Sequence, residues 1–210
     1  MTIRMTTRFA LAAVLLLAAA HTPAGSDAHE ERATALFAGG CFWCVEEAFS
    51  KVEGVHEHVS GFAGGHVENP AYEEVVEGGT GHHEVVQVIY DPSVVSYEEL
   101  LHVFWRNIDP LDAGGQFCDR GEPYQSAIFV ASEAEREAAT ASRDAIDNSG
   151  RFDEPIVTAI REAAPFYAAE EFHQNYFEKR PLRYRFYVTA CGRYNRLDDL
   201  WGEEARPGSG

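Results

Sequence analysis

Cys41 is the residue of this chain best placed to act as a nucleophile. It sits in Thr34-Ala-Leu-Phe-Ala-Gly-Gly-Cys-Phe-Trp-Cys-Val-Glu-Glu-Ala-Phe49, where a short apolar run meets two glycines, a cysteine and then a helical pattern. That order predicts a strand, a tight turn and a helix with Cys41 at its start. A helix N-terminus carries about half a positive charge and unpaired N–H groups, which favour a thiolate over a thiol. Phe42 and Trp43 then supply an apolar wall beside the sulfur. The competing reading is a buried helix start that happens to hold a small apolar cysteine.

A second chemical group lies in Gly79-Thr-Gly-His-His-Glu84-Val-Val. If that strand is central, Glu84 is a carboxylate in apolar surroundings, its pKa rises, and it can donate a proton near neutral pH. On an edge strand it would simply face water. His82 and His83 invite a metal reading, but adjacent strand residues point to opposite faces and cannot readily share one ion, so no metal is expected. Tyr72 and Tyr124 flank Pro- or Gly-rich turns that can direct a hydroxyl into a cavity, and Asp119 lies close to Tyr124 in Gln116-Phe-Cys-Asp-Arg-Gly121. A thiolate, a neutral carboxyl and phenol hydroxyls in one pocket would suit attack on an electrophilic atom bearing a basic oxygen.

The elements that must position these groups follow from periodicity. Strands are expected at 33–38, 55–62, 83–90, 125–131 and 156–161, and helices at 41–51, 71–76, 96–107, 132–148 and 168–179. Asn69 with Pro70 reads as the start of the second helix, Ser96 with Glu99 and Ser132 with Glu135 as capping boxes, and Pro181 as a stop. Residues 109–123 form a long Gly- and Asp-rich loop of the kind that carries function. The remainder reads as a mixed tail closed by Leu197 to Trp201. This order predicts an α+β fold: a single-domain, two-layer α/β sandwich with a mixed, mainly antiparallel sheet of the ferredoxin-like plait type. A doubly wound parallel sheet is the alternative.

The 210 residues suit one domain able to bury a core without disulfide staples. The N-terminus has an address of its own. Arg4 and Arg8 precede an unbroken apolar run, Phe9 to Ala20, followed by small residues. Residues 1–28 therefore read as a secretory signal, with cleavage after Ala20, Ala24 or Ala28, leaving one domain over about 33–202 and an exported, bacterial periplasmic protein. The formal charge of −17 falls to −19 without residues 1–20, which hold two arginines and no acid. Such a chain repels nucleic acid and anionic lipid, and no membrane association is expected once the signal is removed. The spread of its acids fits a solvated surface, such as a saline habitat favours, better than a binding patch. Four cysteines in an exported chain normally suggest two disulfides, yet Cys41-x-x-Cys44 at a helix start and Cys118 in a Gly-rich loop look more like an exchangeable set.

Gly40-Cys-Phe-Trp43 with the following Val-Glu, Asn69-Pro-Ala-Tyr-Glu-Glu-Val75, Thr80-Gly-His-His-Glu84, Tyr90-Asp-Pro92, Phe104-Trp105 and Asp119-Arg-Gly-Glu-Pro-Tyr124 together resemble the A-type peptide methionine sulfoxide reductases. The resemblance runs from about residue 34 to His173 and beyond. It implies that Cys41 attacks the sulfoxide sulfur while Phe42 and Trp43 hold the methyl group. Glu84 would protonate the oxygen, Tyr72 and Tyr124 would donate hydrogen bonds, and Asp119 would order water and the nucleophile. Cys41 would be left as a sulfenic acid, and the S epimer, free or in a polypeptide, would be the substrate. No tightly bound cofactor is implied; an external thiol reductant such as thioredoxin would close the cycle, and a monomer is expected.

The resolving thiol does not carry over with the resemblance, since many relatives have glycine at Cys44 and lack Cys118. Cys191 is the first choice because relatives commonly use a C-terminal cysteine, with Cys118 and Cys44 as alternatives. The competing function is a thioredoxin-like disulfide oxidoreductase using Cys41 and Cys44, which leaves Glu84 and the tyrosines without a role. A periplasmic metal-binding module is the non-enzymatic alternative.

Overall fold

The computed structural model describes residues 32–207 together with Met1; the expected signal segment lies outside the described residues. Among the described residues, no helix is long and apolar enough to cross a membrane.

The chain runs β1 (Ala33–Ala38), α1 (Phe42–Ser50), β2 (Val55–Ala63), α2 (Tyr72–Glu77), β3 (His83–Tyr90) and α3 (Tyr97–Trp105). A small hairpin of β4 (Gly115–Gln116) and β5 (Asp119–Arg120) follows, then a 3-10 turn over Glu122–Tyr124. β6 (Ala127–Val130), α4 (Glu133–Asp147), β7 (Ala159–Glu162), β8 (Phe166–Ala168), α5 (Tyr176–Lys179), α6 (Pro181–Ala190) and α7 (Arg193–Trp201) complete it. The main sheet is ordered β7-β6-β1-β3-β2-β8. All its pairings are antiparallel except β6 with β7. The inner four strands, β6-β1-β3-β2, have the order of a ferredoxin-like plait, as expected from the sequence. The doubly wound alternative fails because consecutive strands pair antiparallel across the centre.

The principal core buries Phe37, Phe49, Val86, Val88, Leu100, Leu101, Phe104 and Trp105 between sheet and helices. These are the positions that a period of two in the strands and 3.6 in α1 and α3 brings to one side. Phe37 stacks between Phe49 and Phe104, each with ring centroids 5.1 Å away. This ties the strand leading into Cys41 to both helices that cover it.

Three expectations are corrected. α2 is capped at Ala71, whose N–H donates to Glu74 Oε2 at 2.9 Å, because Asn69 takes a left-handed φ of 49° in the preceding turn. Residues 168–179 are not one helix. Phe166–Ala168 instead pair with the otherwise open edge of β2, and only Tyr176–Lys179 are helical. The edge is continued by Gln174, whose side-chain amide bonds both the N–H and the C=O of Ser60. Unpaired strand-edge groups gain more from this than the segment would from its weak helix propensity. As expected, α5 ends at Lys179, before Pro181, and Pro181 itself occupies the first turn of a further helix, α6, where its missing N–H costs nothing. α6 and α7 occupy much of what reads as a mixed tail. The two expected capping boxes behave differently in detail: Ser96 and Glu99 cap each other reciprocally, whereas Glu135 accepts from Ala131 rather than from Ser132.

Candidate active site

β1 delivers the chain to Gly39-Gly40, and α1 begins at Phe42 with Cys41 as its N-cap. Gly40 has φ +78°, and a Cβ there would lie 2.4 Å from Gln116 Cβ, so the turn requires glycine on two counts. Gln116 is fully buried. Its amide both accepts from Asp109 N–H and donates to Asp109 C=O, locking the 109–123 loop against the turn.

β3 is a central strand, and it places Glu84 at 2 % exposure beside the start of α1. Glu84 Oε2 accepts from the Phe42 N–H at 2.9 Å, so the first free amide of the helix is spent on this carboxyl rather than on the sulfur. Burial pushes the Glu84 carboxyl well above its usual range; that hydrogen bond opposes the rise and the neighbouring Asp119 adds to it. The shift is toward the neutral acid, the direction the sequence suggested for a central strand.

Cys41 differs from its expectation. Burial raises its thiol well above the ordinary range, and Cys44, Glu84 and Asp119 reinforce the effect. The helix terminus does not compensate, and the resting Cys41 holds its proton.

Cys41, Phe42, Trp43, Tyr72, Glu84, Asp119 and Tyr124 all line one pocket of about 240 Å³, joined by Tyr187. Every residue assigned from the sequence to nucleophile, acid, hydrogen-bond donor or methyl wall is brought together there. Burial lifts the Tyr72 phenol to about 12, and that of Tyr124 rises further for the same reason. Both remain donors throughout the neutral range. Asp119 is also raised by burial, against the opposing effects of the Tyr187 hydroxyl and Arg193.

Sequence reasoning missed the C-terminal side of the pocket. Tyr187 on α6 donates its hydroxyl to Asp119 Oδ2. Tyr176 stacks on Trp43 with ring centroids 3.9 Å apart, and the Trp43 indole N–H donates to His173 Nδ1 at 3.1 Å. These contacts fix the plane of the Trp43 ring. The available signal was the spacing of Tyr184, Tyr187, Val188 and Cys191 after Pro181, which places one helical face toward the site.

Cys118 and Cys191 are bonded to each other, while Cys41 and Cys44 are free and buried. Cys118 is exposed and adjoins Asp119, so the disulfide lies at the rim of the pocket with one sulfur facing solvent. Cys118, Asp119 and Cys191 could group around an ion only without that bond. The ring nitrogens of His82 meet the Gly65 N–H and the Val67 carbonyl, and those of His83 meet the Gln125 carbonyl and Arg161, so both rings are held by protein.

Comparison with known proteins agrees with this geometry. The family model for peptide methionine sulfoxide reductase matches residues 33–205. The chain belongs to the peptide methionine sulfoxide reductase family. It is 49 % identical over 173 residues to the peptide methionine sulfoxide reductase MsrA of Bacillus subtilis, covering 82 % of this chain and 98 % of that one. It is 52 % identical over 151 residues to the MsrA of Ligilactobacillus salivarius, covering 72 % and 88 %. Among solved structures, reduced Mxr1 of Saccharomyces cerevisiae superposes with a TM-score of 0.65 at 32 % identity, covering 72 % of this chain and 87 % of that one. Methionine sulfoxide reductase A of Corynebacterium diphtheriae gives 0.64 at 33 % identity, covering 72 % and 76 %.

Proposed function

We propose that this protein is a peptide-methionine (S)-S-oxide reductase that reduces the S epimer of methionine sulfoxide, free or in polypeptides, to methionine. The observation that carries the reading is the placement of a cysteine sulfur and a buried carboxyl, its pKa raised by that burial, in one pocket walled by Phe42 and Trp43. Thiolate attack alone would have to expel a strongly basic oxide; a proton delivered from Glu84 to the oxygen removes that barrier. Cys41 bonds to the sulfoxide sulfur, Glu84 gives its proton to the oxygen, and Tyr72 and Tyr124 donate hydrogen bonds to it. Taking up the Cys41 thiol proton as well, the oxygen leaves as water; that water attacks the Cys41 sulfur, the bond between Cys41 and the substrate sulfur breaks, methionine leaves with two electrons gained, and Cys41 becomes a sulfenic acid while the released proton returns to Glu84.

Cys191 then attacks the Cys41 sulfur, forming a Cys41–Cys191 bond and releasing water. Cys118 attacks Cys191 in turn, giving the Cys118–Cys191 bond and returning Cys41 to the thiol form. The Cys118–Cys191 bond with free Cys41 is the state in the structure, and the exposure of Cys118 suits reduction by a thioredoxin-like dithiol. The active unit is a monomer without a bound cofactor. Residues 1–28 direct export to the periplasm, where repair of oxidised proteins is the role; a periplasmic extract lacking the mature chain would refute this address.

The test is an assay on the separated epimers of free and peptide-bound methionine sulfoxide with a thioredoxin reductant. Turnover of the S epimer only is expected; turnover of neither refutes the reading. The thioredoxin-like alternative is weakened by the burial of both Cys41 and Cys44, which denies a protein disulfide access. Cys44→Ser discriminates, since it abolishes a dithiol oxidoreductase at every pH, whereas a reductase resolved by Cys191 continues to turn over sulfoxide.

A further inference from the structure

α6 turns an apolar face to solvent beside the active-site pocket. Met1 aside, Leu182 and Phe186 are the most exposed large hydrophobic side chains among the described residues, at 81 % and 76 %. They lie four residues apart on one helix and so share a face. Single apolar side chains at a surface need no explanation, but a contiguous group of them marks a place where something binds. Leu182 and Phe186 belong to such a group: with Trp43, Tyr176, Arg183 and Tyr187 they line an open groove of about 420 Å³.

The groove continues the pocket, because Trp43 and Tyr187 line both. The Trp43 ring is the shared wall. Tyr176 stacks on it, and Tyr187 lies nearly perpendicular to it with ring centroids 5.8 Å apart. Neither Cys118 nor Cys191 lines the groove, so a dithiol that reduces their bond has no need of it. A second copy of the chain is disfavoured by charge. Arg180, Arg183 and Arg185 are exposed and form no ion pair among the described residues. Two such faces meeting each other would bring like charges together without compensation.

We propose that the groove is a second substrate subsite, which seats a large apolar residue, best an aromatic one, adjacent to methionine sulfoxide in a polypeptide. The inference rests on the sulfoxide reduction proposed above and names the polypeptides that the site favours. With the sulfoxide side chain between Phe42 and Trp43, the neighbouring residue lies along the far side of the Trp43 wall, against Leu182 and Phe186. A Phe or Leu side chain placed there removes apolar surface from water on both partners. The rings of Trp43, Tyr176 and Phe186 favour an aromatic occupant through offset or edge contacts. Free methionine sulfoxide has no such neighbour and gains nothing from the groove. Chains that present methionine beside a large apolar residue are unfolded or damaged ones, since folded proteins mostly bury such pairs. The groove touches no reacting atom, so its contribution falls on KM rather than on kcat.

The test compares free methionine S-sulfoxide with two blocked tripeptides in which the same residue, Phe or Ser, stands on both sides of the S-sulfoxide. With thioredoxin as reductant, the wild type should prefer the Phe peptide by about 10-fold in kcat/KM, through KM. Leu182→Ser combined with Phe186→Ser alters only exposed side chains, and far-ultraviolet circular dichroism checks that the fold is kept. The double variant should lose most of the preference, with kcat/KM for the free sulfoxide and KM for thioredoxin unchanged. If it does not fold, Phe186→Ser alone decides by the same measurements. Absence of the preference in the wild type, or its survival in the folded variant, overturns the proposal. So does a raised KM for thioredoxin with the peptide preference intact, which assigns the groove to the reductant. Faster turnover of all three substrates in the variant assigns it to a segment of the chain itself and likewise overturns the proposal. Turnover of the free sulfoxide without any peptide preference refutes the subsite alone, whereas turnover of no sulfoxide refutes the enzymatic reading and the subsite with it.

Discussion

Glu84 shows how one side chain links chemistry to stability. Its folded carboxyl is raised by burial above the unfolded value. The folded state therefore binds the proton more tightly, and the stabilisation this gives is present in acid and lost as pH rises from the ordinary Glu range through the raised value. Glu84→Gln keeps the neutral hydrogen-bonding shape. Thermal melts of the variant should lack the wild-type decline with pH, with Tm higher by roughly 2–4 °C for each kcal/mol recovered. The same substitution removes the proton donor and should slow sulfoxide reduction by about 10²–10⁴-fold, read as kcat/KM on the S epimer. Cys41→Ser should abolish reduction altogether. Near-normal rates in either variant would remove these residues from the roles assigned to them.

At the scale of elements, the site depends on a junction of β1, α1 and the 109–123 loop. Gly40→Ala places a Cβ against Gln116 in a left-handed turn. It should cost about 1–3 kcal/mol in denaturant melts and misplace Cys41, so that activity falls more than stability explains. α6 makes the complementary contribution through Tyr187. Tyr187→Phe removes the hydroxyl from Asp119 while keeping the ring beside Trp43. A loss of about 1–3 kcal/mol is expected because the buried carboxylate keeps its desolvation cost without its donor. β1, α1, β3 and α3 were legible in the sequence because their apolar periods are long and undisturbed. The single helix expected over 168–179 was not, because Ala168 belongs to a strand that forms only where the edge of β2 offers partners, and only Tyr176–Lys179 are helical.

Across the whole molecule, charge and thiol connectivity are the properties that no single element owns. A formal charge of −17 repels itself within a domain of this size. Raising ionic strength from about 0.1 M to 1 M shortens the screening length from about 10 Å to 3 Å, and Tm should rise as that repulsion is screened. Indifference to molar salt would dismiss the saline-habitat reading. For the thiols, peptide mapping of Cys118→Ser protein after one equivalent of sulfoxide should find Cys41 bonded to Cys191, because the second exchange cannot occur. A Cys41–Cys44 bridge in its place would overturn resolution by Cys191.

The sequence by itself named the candidate nucleophile, acid and hydrogen-bonding tyrosines, and it determined the strand-turn-helix that presents Cys41. Each of these is a local pattern: a residue type at a fixed offset from a glycine, a proline or an apolar period. Only the tertiary structure decided that Glu84 takes the first amide of α1, that Cys118 pairs with Cys191 across 73 residues, and that Tyr187 reaches the site from α6. The physical reason is that burial and long-range pairing set the charge state of a group, and neither is encoded in its immediate neighbours. The helix terminus led to an expected thiolate on Cys41, but burial in the folded chain pushes that thiol up instead.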